Sequence, residues 1–479
     1  MIFIAGLYWH YNVLKSVSSP SPVSGDFYHL YLPFYLYTSE NLSRLHIPLW
    51  NPYQMCGVPY LSVLQGAVFY PPVLLFAILP PTEAYSAYII MHIVLGAFFI
   101  ILLGRHLKLS WLAAWAGAIT FMFCSNTISK VYGPAFLANS IYLPLMVLFT
   151  LKIFETGRLK WAIALAMAVV LPLFAGWIQA LVYSLYALCA LVAAIVIRSY
   201  IKRRADELFI KRGLVLLLYS AVLFLLISAL QTLPVIELGV RATRSFRGIS
   251  EELLTIDNTA IYGLYRMAFD TLNSNGGLIP FYLYMGMLPL FLGVIALWHK
   301  RLRFYVLFLY GMSVCSLILS MGPQTPVFDL SLHLPMAKMF RAPFRFLFLH
   351  ALAVSLLCGI GLDRFLEYFE SFKTQRNKTL AATALGVAAV GILLCYVWPV
   401  PDRDQPAVIT IILAASRWRI YLLALSLLVL FLAVIPRVGQ CDRYVLGSGC
   451  LGLILLDLFA VKYSYLYLPR KDPQVYEKH

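Results

Sequence analysis

"AYSAYIIMHIVLGAFFIILLGRHLK" occupies residues 84–108 and joins a long apolar run to a basic end. Residues 84–104 contain no Asp, Glu, Lys or Arg, and Arg105 and Lys108 follow directly. A helix of about 20 apolar residues crosses the hydrocarbon core of a bilayer, and basic residues gather where a span meets the cytoplasm. The stretch therefore predicts a transmembrane helix that ends on the cytoplasmic side.

The same pattern recurs along a chain of 479 residues that is 61% hydrophobic and 12% charged, with a mean hydropathy of +0.81. Soluble proteins carry about 25% charged residues, so the composition excludes a soluble protein. We predict an all-α polytopic membrane protein of about 12–13 transmembrane helices, with one membrane domain over residues 1–466 and a short outer tail at 467–479. Its apolar segments cover 2–14, 84–104, 111–127, 134–153, 160–175, 177–197, 213–233, 279–298, 304–321, 346–366, 379–398, 419–436 and 445–463.

The basic residues lie in alternate loops, and this alternation predicts the topology. By the positive-inside rule, the cytoplasmic loops are those at 105–108, 152–160, 198–212, 299–303, 364–378 and 437–443. The extracytoplasmic side then receives residues 15–83, 234–278, 322–345 and 399–418 and the tail. Because these loops account for the net charge of +16, we expect no nucleic-acid partner.

The sequence names no cofactor. Its eight cysteines are scattered without a CxxC pair, so neither a disulfide framework nor a zinc site is indicated. Neither a Walker loop nor a GxGxxG loop is present, so a cytoplasmic nucleotide site is not expected. There is no metal motif, and a divalent cation stays an open alternative.

The first outer loop, residues 15–83, is unusually rich in aromatic, proline and hydrogen-bonding residues. Asp26 follows the turn-forming "SPSPVSG" and opens a helical apolar pattern formed by Tyr28, Tyr31, Leu32, Tyr35 and Leu36. That pattern predicts a helix lying along the membrane surface. The carboxylate of Asp26 either caps this helix or serves as a general base, or as a ligand for a metal or a sugar hydroxyl.

A second part of this loop, "PLWNPYQMCGVP" at residues 48–59, combines rigid backbone with aromatic rings. Trp50 and Tyr53 suit a membrane interface, and the prolines restrict the backbone. The segment is either a rigid surface loop or a saccharide-binding ledge. In the saccharide-binding interpretation, the rings of Trp50 and Tyr53 stack on a sugar, and Asn51 and Gln54 bind its hydroxyl groups.

Two outer basic groups are candidates for binding a phosphate. In "PMAKMFRAPFRFLFLH" (335–350), Lys338, Arg341 and Arg345 share one face if the segment is helical. In "GVRATRSFRG" (239–248), Arg244 lies close in sequence to Glu237. These cations either anchor the chain to anionic lipid headgroups or clamp a lipid-linked phosphate.

Polar residues inside the apolar segments are expected to be structural. Asp457 should face the bundle and have a partner there, as a hydrogen-bonded acid or a proton relay. Gln179 and Gln231 are expected to form interhelical hydrogen bonds. His92 and His350 are expected to be helix residues with satisfied hydrogen bonds.

Five motifs together resemble the YfhO family of bacterial membrane proteins. They are "GDFYHLYLPFY…LHIPLWNPYQMCGVPYLSVLQGAVFYPPVLLFAILP", "NSIYLPLMVL", "LQTLPVIELGVRATRSF", "YMGMLPLFLGVIAL" and "LPMAKMFRAPFRFLFLHALAVSLLCGIGLDRF", in that order. The resemblance implies a GT-C-type glycosyltransferase of the bacterial cytoplasmic membrane, with its active site facing outside. Such an enzyme moves a sugar from a polyprenyl-phosphate donor to an envelope glycan, lipid or polymer acceptor. It makes Asp26 the catalytic acid or base and Arg341 and Arg345 candidates for the donor phosphate.

Two segments depart from the family pattern. Family members often carry a histidine where this chain reads "VYGPAF" (131–136) and another where it reads "AGWIQA" (175–180), so the choice of sugar or acceptor can differ. Longer members continue past the last matching span, so this chain is either a short or a truncated member. The rival functions are a transporter or flippase of lipid-linked glycans and a non-catalytic membrane scaffold.

Overall fold

A computed structural model describes residues 27–130, 133–201, 207–241, 285–340, 342–371, 447–455 and 458. The predictions for Asp26, Arg244, Arg341 and Asp457, and for the apolar segments at 2–14, 379–398 and 419–436, lie outside the described residues. The described part is helical apart from its loops and a two-stranded hairpin.

The helices in chain order are α1 (Leu32–Ser43), α2 (Leu75–Ile78), α3 (Pro81–His106), α4 (Trp111–Phe123), α5 (Ser125–Ser129), α6 (Pro134–Ser140), α7 (Leu143–Thr156), α8 (Leu159–Phe174), α9 (Ile178–Ile201), α10 (Glu207–Arg241), α11 (Met287–Ala296), α12 (Arg303–Ser320), α13 (Pro326–Ser331) and α14 (Leu347–Ser371). Residues 447–455 are also helical. The hairpin pairs β1 (Trp50–Asn51) with β2 (Val58–Pro59) in antiparallel register. The prediction of an all-α polytopic membrane protein is confirmed.

Seven stretches of the described chain are long and apolar enough to cross a membrane. They are Glu83–His106, Trp111–Ser129, Pro134–Thr156, Ile178–Ile201, Leu208–Arg241, Arg303–Ser320 and Pro343–Tyr368, and α8 is a shorter apolar helix. Two of these spans contain a break, at Cys124 between α4 and α5 and at residues 141–142 between α6 and α7.

Consecutive spans run in opposite directions, so their connections collect at two ends of the bundle. We call the end with residues 27–80, 175–177 and 321–346 the predicted outer end, and the end with residues 105–110, 157–158 and 299–303 the predicted cytoplasmic end. At the predicted cytoplasmic end, Arg301 donates to the Lys108 carbonyl at 3.1 Å. Ser110 caps α4 there by accepting from the Ala113 N–H.

Helix α14 forms the centre of the bundle, because every residue in the most apolar 18-residue stretch of its span is buried. Small residues allow this close packing. A Cβ on Gly359 would lie 2.6 Å from the Ala113 carbonyl oxygen, and one on Gly117 would lie 2.8 Å from that of Ser355. A Cβ on Gly361 would overlap the backbone of α11. The "CGIGLDRF" segment thus places α14 against both α4 and α11.

Helix α10 is the most exposed of the seven spans, because only 17% of its most apolar 18-residue stretch is buried. Leu218, Leu226 and Leu233 are 65%, 68% and 65% exposed. Apolar side chains so exposed on a membrane-spanning helix form a surface for lipid. We call this surface the lipid face of α10.

The first outer loop is packed onto the bundle by buried aromatic side chains. Tyr35 is fully buried, and its ring lies 5.5 Å from that of Tyr88 on α3. Tyr70 shares a 2.6 Å hydrogen bond with Nε2 of His92 and a 3.1 Å hydrogen bond with the hydroxyl of Tyr142. These contacts hold the loop over the ends of α3 and α7.

Candidate functional site at the predicted outer end

Three connections bring polar side chains together at the predicted outer end. Lys130 follows α5, Trp177 lies in the turn from α8 to α9, and Arg345 lies in the 3-10 turn Pro343–Phe346 that leads into α14. Phe136 at the start of α6 joins them, since its ring lies 5.8 Å from that of Trp177. We call these residues together with Gln179 the outer cation site.

Arg345 is fixed by contacts with helix α9 and the turn before it. Its Nη1 donates to Oε1 of Gln179 at 2.6 Å, and its guanidinium carbon lies 4.8 Å from the centre of the Trp177 ring. Gln179 in turn donates to the Tyr183 hydroxyl at 2.9 Å. The guanidinium is therefore held in one orientation by a charge-assisted hydrogen bond and a cation–π contact.

Lys130 is the second cation of the site and is only 6% exposed. Its Nζ lies 4.1 Å from the centre of the Phe136 ring and 5.9 Å from that of Phe344. Burial lowers the pKa of Lys130 well below its usual value, and the nearby charge of Arg345 lowers it further. An anion placed beside Lys130 would raise this pKa again and stabilise the charged form of the amine.

The turn that carries Trp177 is positioned by two sequence features. Asn139 donates its side-chain amide to the carbonyls of Pro172 at 2.6 Å and Trp177 at 2.9 Å, which satisfies backbone groups at the end of α8. Gly176 has a φ of +98°, and a Cβ there would overlap the Leu64 carbonyl oxygen. The first outer loop therefore packs directly against the turn of the outer cation site.

The chemistry of the outer cation site suits a phosphate at the membrane surface. A guanidinium forks onto two oxygens of one anion, while an ammonium supplies a compact charge. Aromatic walls exclude water and strengthen both interactions. The site lies where membrane-spanning segments end, which is the level of lipid headgroups.

Lys338, Arg341 and Arg345 are expected to share one face only if their segment is helical, and the described residues of the segment do not form a continuous helix. The segment forms two 3-10 turns, Ala337–Met339 and Pro343–Phe346, separated by Ala342 with a φ of +62°. Proline at the start of the second turn prevents a continuous helix. Lys338 is consequently exposed, whereas Arg345 turns towards Gln179.

The segment that contains the proposed saccharide-binding residues forms a hairpin, which is compatible with a surface loop and with a saccharide-binding surface. Trp50 packs its ring on Gly57, and Tyr37 donates to the Trp50 carbonyl at 2.6 Å. Asn51 is 5% exposed, and its side-chain oxygen accepts from the Tyr53 N–H at 3.0 Å. Asn51 therefore stabilises a turn, while the rings of Trp50 and Tyr53 are 54% and 85% exposed.

The remaining candidate residues have the following surroundings. Gln54 has a buried side-chain oxygen without a hydrogen-bond partner among the described residues. Glu237 forms an exposed ion pair with Arg241 one helical turn away, at 3.3 Å. Gln231 donates to the Leu61 carbonyl at 2.8 Å, so its partner is the first outer loop and not a second helix.

Both intramembrane histidines are buried. His92 uses both ring nitrogens, with Tyr70 and with the Tyr88 carbonyl at 2.6 Å. His350 bonds Ser313 through Nδ1 at 2.8 Å, while its Nε2 has no partner among the described residues. The expectation of satisfied histidines is confirmed for His92 and holds for only one nitrogen of His350.

A second polar cluster lies at the predicted cytoplasmic end, where ligand atoms of His299, Asp363 and Glu367 come within 4.8 Å of one another. Asp363 accepts from the Ser110 N–H at 2.9 Å, and His299 Nε2 lies 3.8 Å from its other oxygen. The Leu302 N–H points at Nδ1 of His299 at 3.4 Å. A histidine bound to metal through Nε2 normally donates from Nδ1, so the geometry favours a His–Asp pair that joins the α11–α12 connection to α14.

Sequence reasoning missed Lys130 and Trp177. Lys130 could have been noticed in the sequence. It lies between the apolar segments 111–127 and 134–153, in a connection that the alternation of loops places outside, where the positive-inside rule predicts few basic residues. Trp177 and Phe136 lie in "AGWIQA" and "VYGPAF", the two segments that depart from the family pattern. The structure brings these two segments together beside Arg345.

Comparison with known proteins gives two solved structures. No family model matches the chain, and no curated protein matches it in sequence. ArnT from Cupriavidus metallidurans bound to undecaprenyl phosphate is 13% identical, with 97% of this chain and 75% of that chain covered and a TM-score of 0.40. ArnT from the same organism in the apo state is 12% identical, with 96% and 75% covered and a TM-score of 0.44. The resemblance to the YfhO family stays a prediction.

Proposed function

We propose that this protein is a membrane glycosyltransferase that takes a sugar from a polyprenyl-phosphate donor at the extracytoplasmic face. One observation carries the proposal: Lys130 and Arg345, two cations from distant parts of the chain, share a buried aromatic site at the predicted outer end. A guanidinium and an ammonium side by side can both bind the oxygens of a lipid-linked phosphate, and its prenyl chain stays in the bilayer.

The reaction joins the sugar to an acceptor hydroxyl. The hydroxyl oxygen bonds to the anomeric carbon, the bond from that carbon to the phosphate oxygen breaks, and the proton of the hydroxyl passes to a base. We assign the base to Asp26, on the resemblance to the YfhO family. The lipid phosphate leaves with its bonding electrons, and Arg345 and Lys130 stabilise the charge that develops on it.

The other candidate residues have supporting roles in this proposal. Lys338, Arg341 and Arg244 attract the donor phosphate to the outer cation site. Gln54 and Glu237 belong to the side where the sugar and acceptor bind, whereas the exposed side chains of Trp50 and Tyr53 border that side without a role in stacking on the sugar. Asn51 acts by shaping the hairpin, because its side chain is committed to the turn. The acceptor is a glycan, lipid or polymer of the bacterial envelope.

Release of free polyprenyl phosphate tests the proposal. Membranes containing the protein are incubated with a panel of polyprenyl-phosphate monosaccharides and an envelope extract as acceptor. Asp26→Asn and Arg345→Gln are compared at matched expression with Arg44→Gln, which changes an exposed cation directly after α1 that pairs with Glu40. Release by the parent and Arg44→Gln, and loss in the other two variants, is the expected result. Equal release by all four proteins would overturn the assignment of the site.

One observation favours a second function, transport of lipid-linked glycans. The spans on either side of Lys130 are both interrupted, at Cys124 and at residues 141–142. Discontinuous helices at a substrate site are typical of transporters. A transporter would move the donor across liposomes without releasing lipid phosphate, so the panel assay separates the two functions. A non-catalytic scaffold would tolerate all three substitutions.

A further inference from the structure

The hairpin of the first outer loop exposes a concentrated set of large apolar side chains. Within residues 45–56, the exposed fractions are Leu45 97%, Ile47 47%, Leu49 63%, Trp50 54%, Tyr53 85% and Met55 85%. Single exposed apolar residues are common on proteins, but a contiguous group of this size marks an interaction surface. We call residues 45–56 the hairpin tip.

The backbone conformation of the hairpin tip determines which of its side chains are exposed. Trp50 pairs with Pro59, and the ring of Trp50 covers Gly57. Three residues of the tip that are not glycine, Leu45, Met55 and Cys56, have positive φ values of 57°, 48° and 63°. Such backbone costs free energy and persists where the surroundings or a function maintain it. The tip therefore holds its apolar side chains outward in a fixed shape.

The chain that follows the hairpin contacts the outer part of α10. The Tyr60 N–H donates to the Leu49 carbonyl at 2.8 Å, and the next residues reach α10, where Ser62 donates to the Pro234 carbonyl at 2.9 Å. Gln231, which bonds the Leu61 carbonyl, lies about 27 Å along the helix from Gly213, where the apolar segment 213–233 begins, at 1.5 Å per residue. Since the hydrocarbon core is about 30 Å thick, this contact places the base of the hairpin at the outer headgroup layer.

The chemistry of the hairpin tip fits lipid. Residues 45–82 contain no Asp, Glu, Lys or Arg, so a charged protein partner would find no ion pair there. Tryptophan and tyrosine are the residues enriched at membrane–water interfaces, and the leucine, isoleucine and methionine side chains beside them suit the start of the acyl chains. We propose that the hairpin tip inserts into the interfacial layer of the outer leaflet, as a membrane anchor for the first outer loop.

This anchor has a consequence for the site below it. The same loop contacts the turn of the outer cation site, where Leu64 meets Gly176. Insertion of the tip would hold the loop at the height of lipid headgroups and so keep the outer cation site open to ligands that arrive in the membrane plane. The proposal applies to a transferase and a transporter alike, and its test needs no activity measurement.

Native Cys56 provides the probe, because it is exposed at the tip. A nitroxide on Cys56 is examined in proteoliposomes of phosphatidylcholine and phosphatidylglycerol, and its collisions with oxygen, which concentrates in lipid, are compared with collisions with a water-soluble nickel chelate. The Cys56→Ala protein, labelled in the same way, measures the contribution of the other seven cysteines, among which Cys189 and Cys315 are exposed. Glu40→Cys in the Cys56→Ala background, on α1 of the same loop, is the matched control.

The expected result is an oxygen-to-nickel collision ratio at Cys56 several-fold above that at Glu40→Cys. Tyr53→Cys, also in the Cys56→Ala background, should give the same high ratio, which guards against a local effect of one label. A ratio equal to the control at both tip positions would show a tip in water and overturn the proposal. Low collision rates with both reagents would show that protein covers the tip, and this too would overturn it.

Discussion

Replacement of Arg345 by glutamine removes the charge that the proposed function depends on. Arg345 holds Gln179 through a 2.6 Å hydrogen bond and lies against Trp177. Glutamine is shorter and neutral, so it cannot fork onto a phosphate. We predict a large loss of donor turnover with little loss of folded protein, since Trp177 and Tyr183 keep their other packing contacts.

The size of the loss follows from the bonds at stake. A hydrogen bond to a charged group contributes about 1.5–3 kcal/mol. Two bonds from one guanidinium to the phosphate, taken at the lower end, contribute about 3 kcal/mol, and each 1.4 kcal/mol is a factor of about 10. We therefore expect kcat/KM for the donor to fall by a factor of about 100. Arg345→Lys keeps the charge but loses the fork, and it should fall by a factor of about 10.

The assay measures the initial rate of lipid-phosphate release by purified protein at a series of donor concentrations. Thermal unfolding in detergent reports on folding separately, and Arg44→Gln controls for the loss of a positive charge on the outer side. An unchanged kcat/KM in well-folded Arg345→Gln would refute the role of the outer cation site. A loss as large in Arg44→Gln would mean that general electrostatics, and not this site, governs donor binding.

Three further predictions concern packing and chemistry. Gly361→Ala should lower the unfolding temperature by the equivalent of about 1–3 kcal/mol, because the new Cβ overlaps the backbone of α11, whereas Gly311→Ala, with nothing within 4 Å, should not. Tyr70→Phe should cost about 1–3 kcal/mol, since buried His92 loses its 2.6 Å partner, and limited proteolysis should cut the first outer loop sooner; an unchanged digestion pattern would contradict this. Asp26→Asn should abolish transfer while the gel-filtration profile stays that of the parent, and an active variant would remove Asp26 from the mechanism.

The spans could be predicted because a bilayer restricts the secondary structure that an apolar segment can form. The apolar segment 160–175 corresponds to α8, Leu159–Phe174, and 84–104 to most of α3, Pro81–His106. Each backbone polar group in lipid needs an intrahelical partner, so an apolar run of that length becomes a helix almost regardless of its neighbours. Basic loops then set the predicted direction of each helix.

The arrangement of the site could not be predicted, because it depends on contacts between distant segments. Lys130 and Arg345 lie more than two hundred residues apart in the sequence, and the positive φ of Ala342 that turns Arg345 inward has no strong local signature. The spacing of Lys338 and Arg345 in the sequence would place them on one face only in a helical segment. Pro343 argues against a continuous helix from Lys338 to Arg345, since a proline disfavours helical backbone at the residue before it.

The central claim is that the outer cation site binds a lipid-linked sugar for transfer. The most direct measurement follows one radiolabelled polyprenyl-phosphate sugar in proteoliposomes with the parent protein, Arg345→Gln and Asp26→Asn. We expect the parent alone to convert the donor to free polyprenyl phosphate and to pass the label to the acceptor. Movement of the intact donor to the other leaflet, with no free lipid phosphate formed, would contradict this claim.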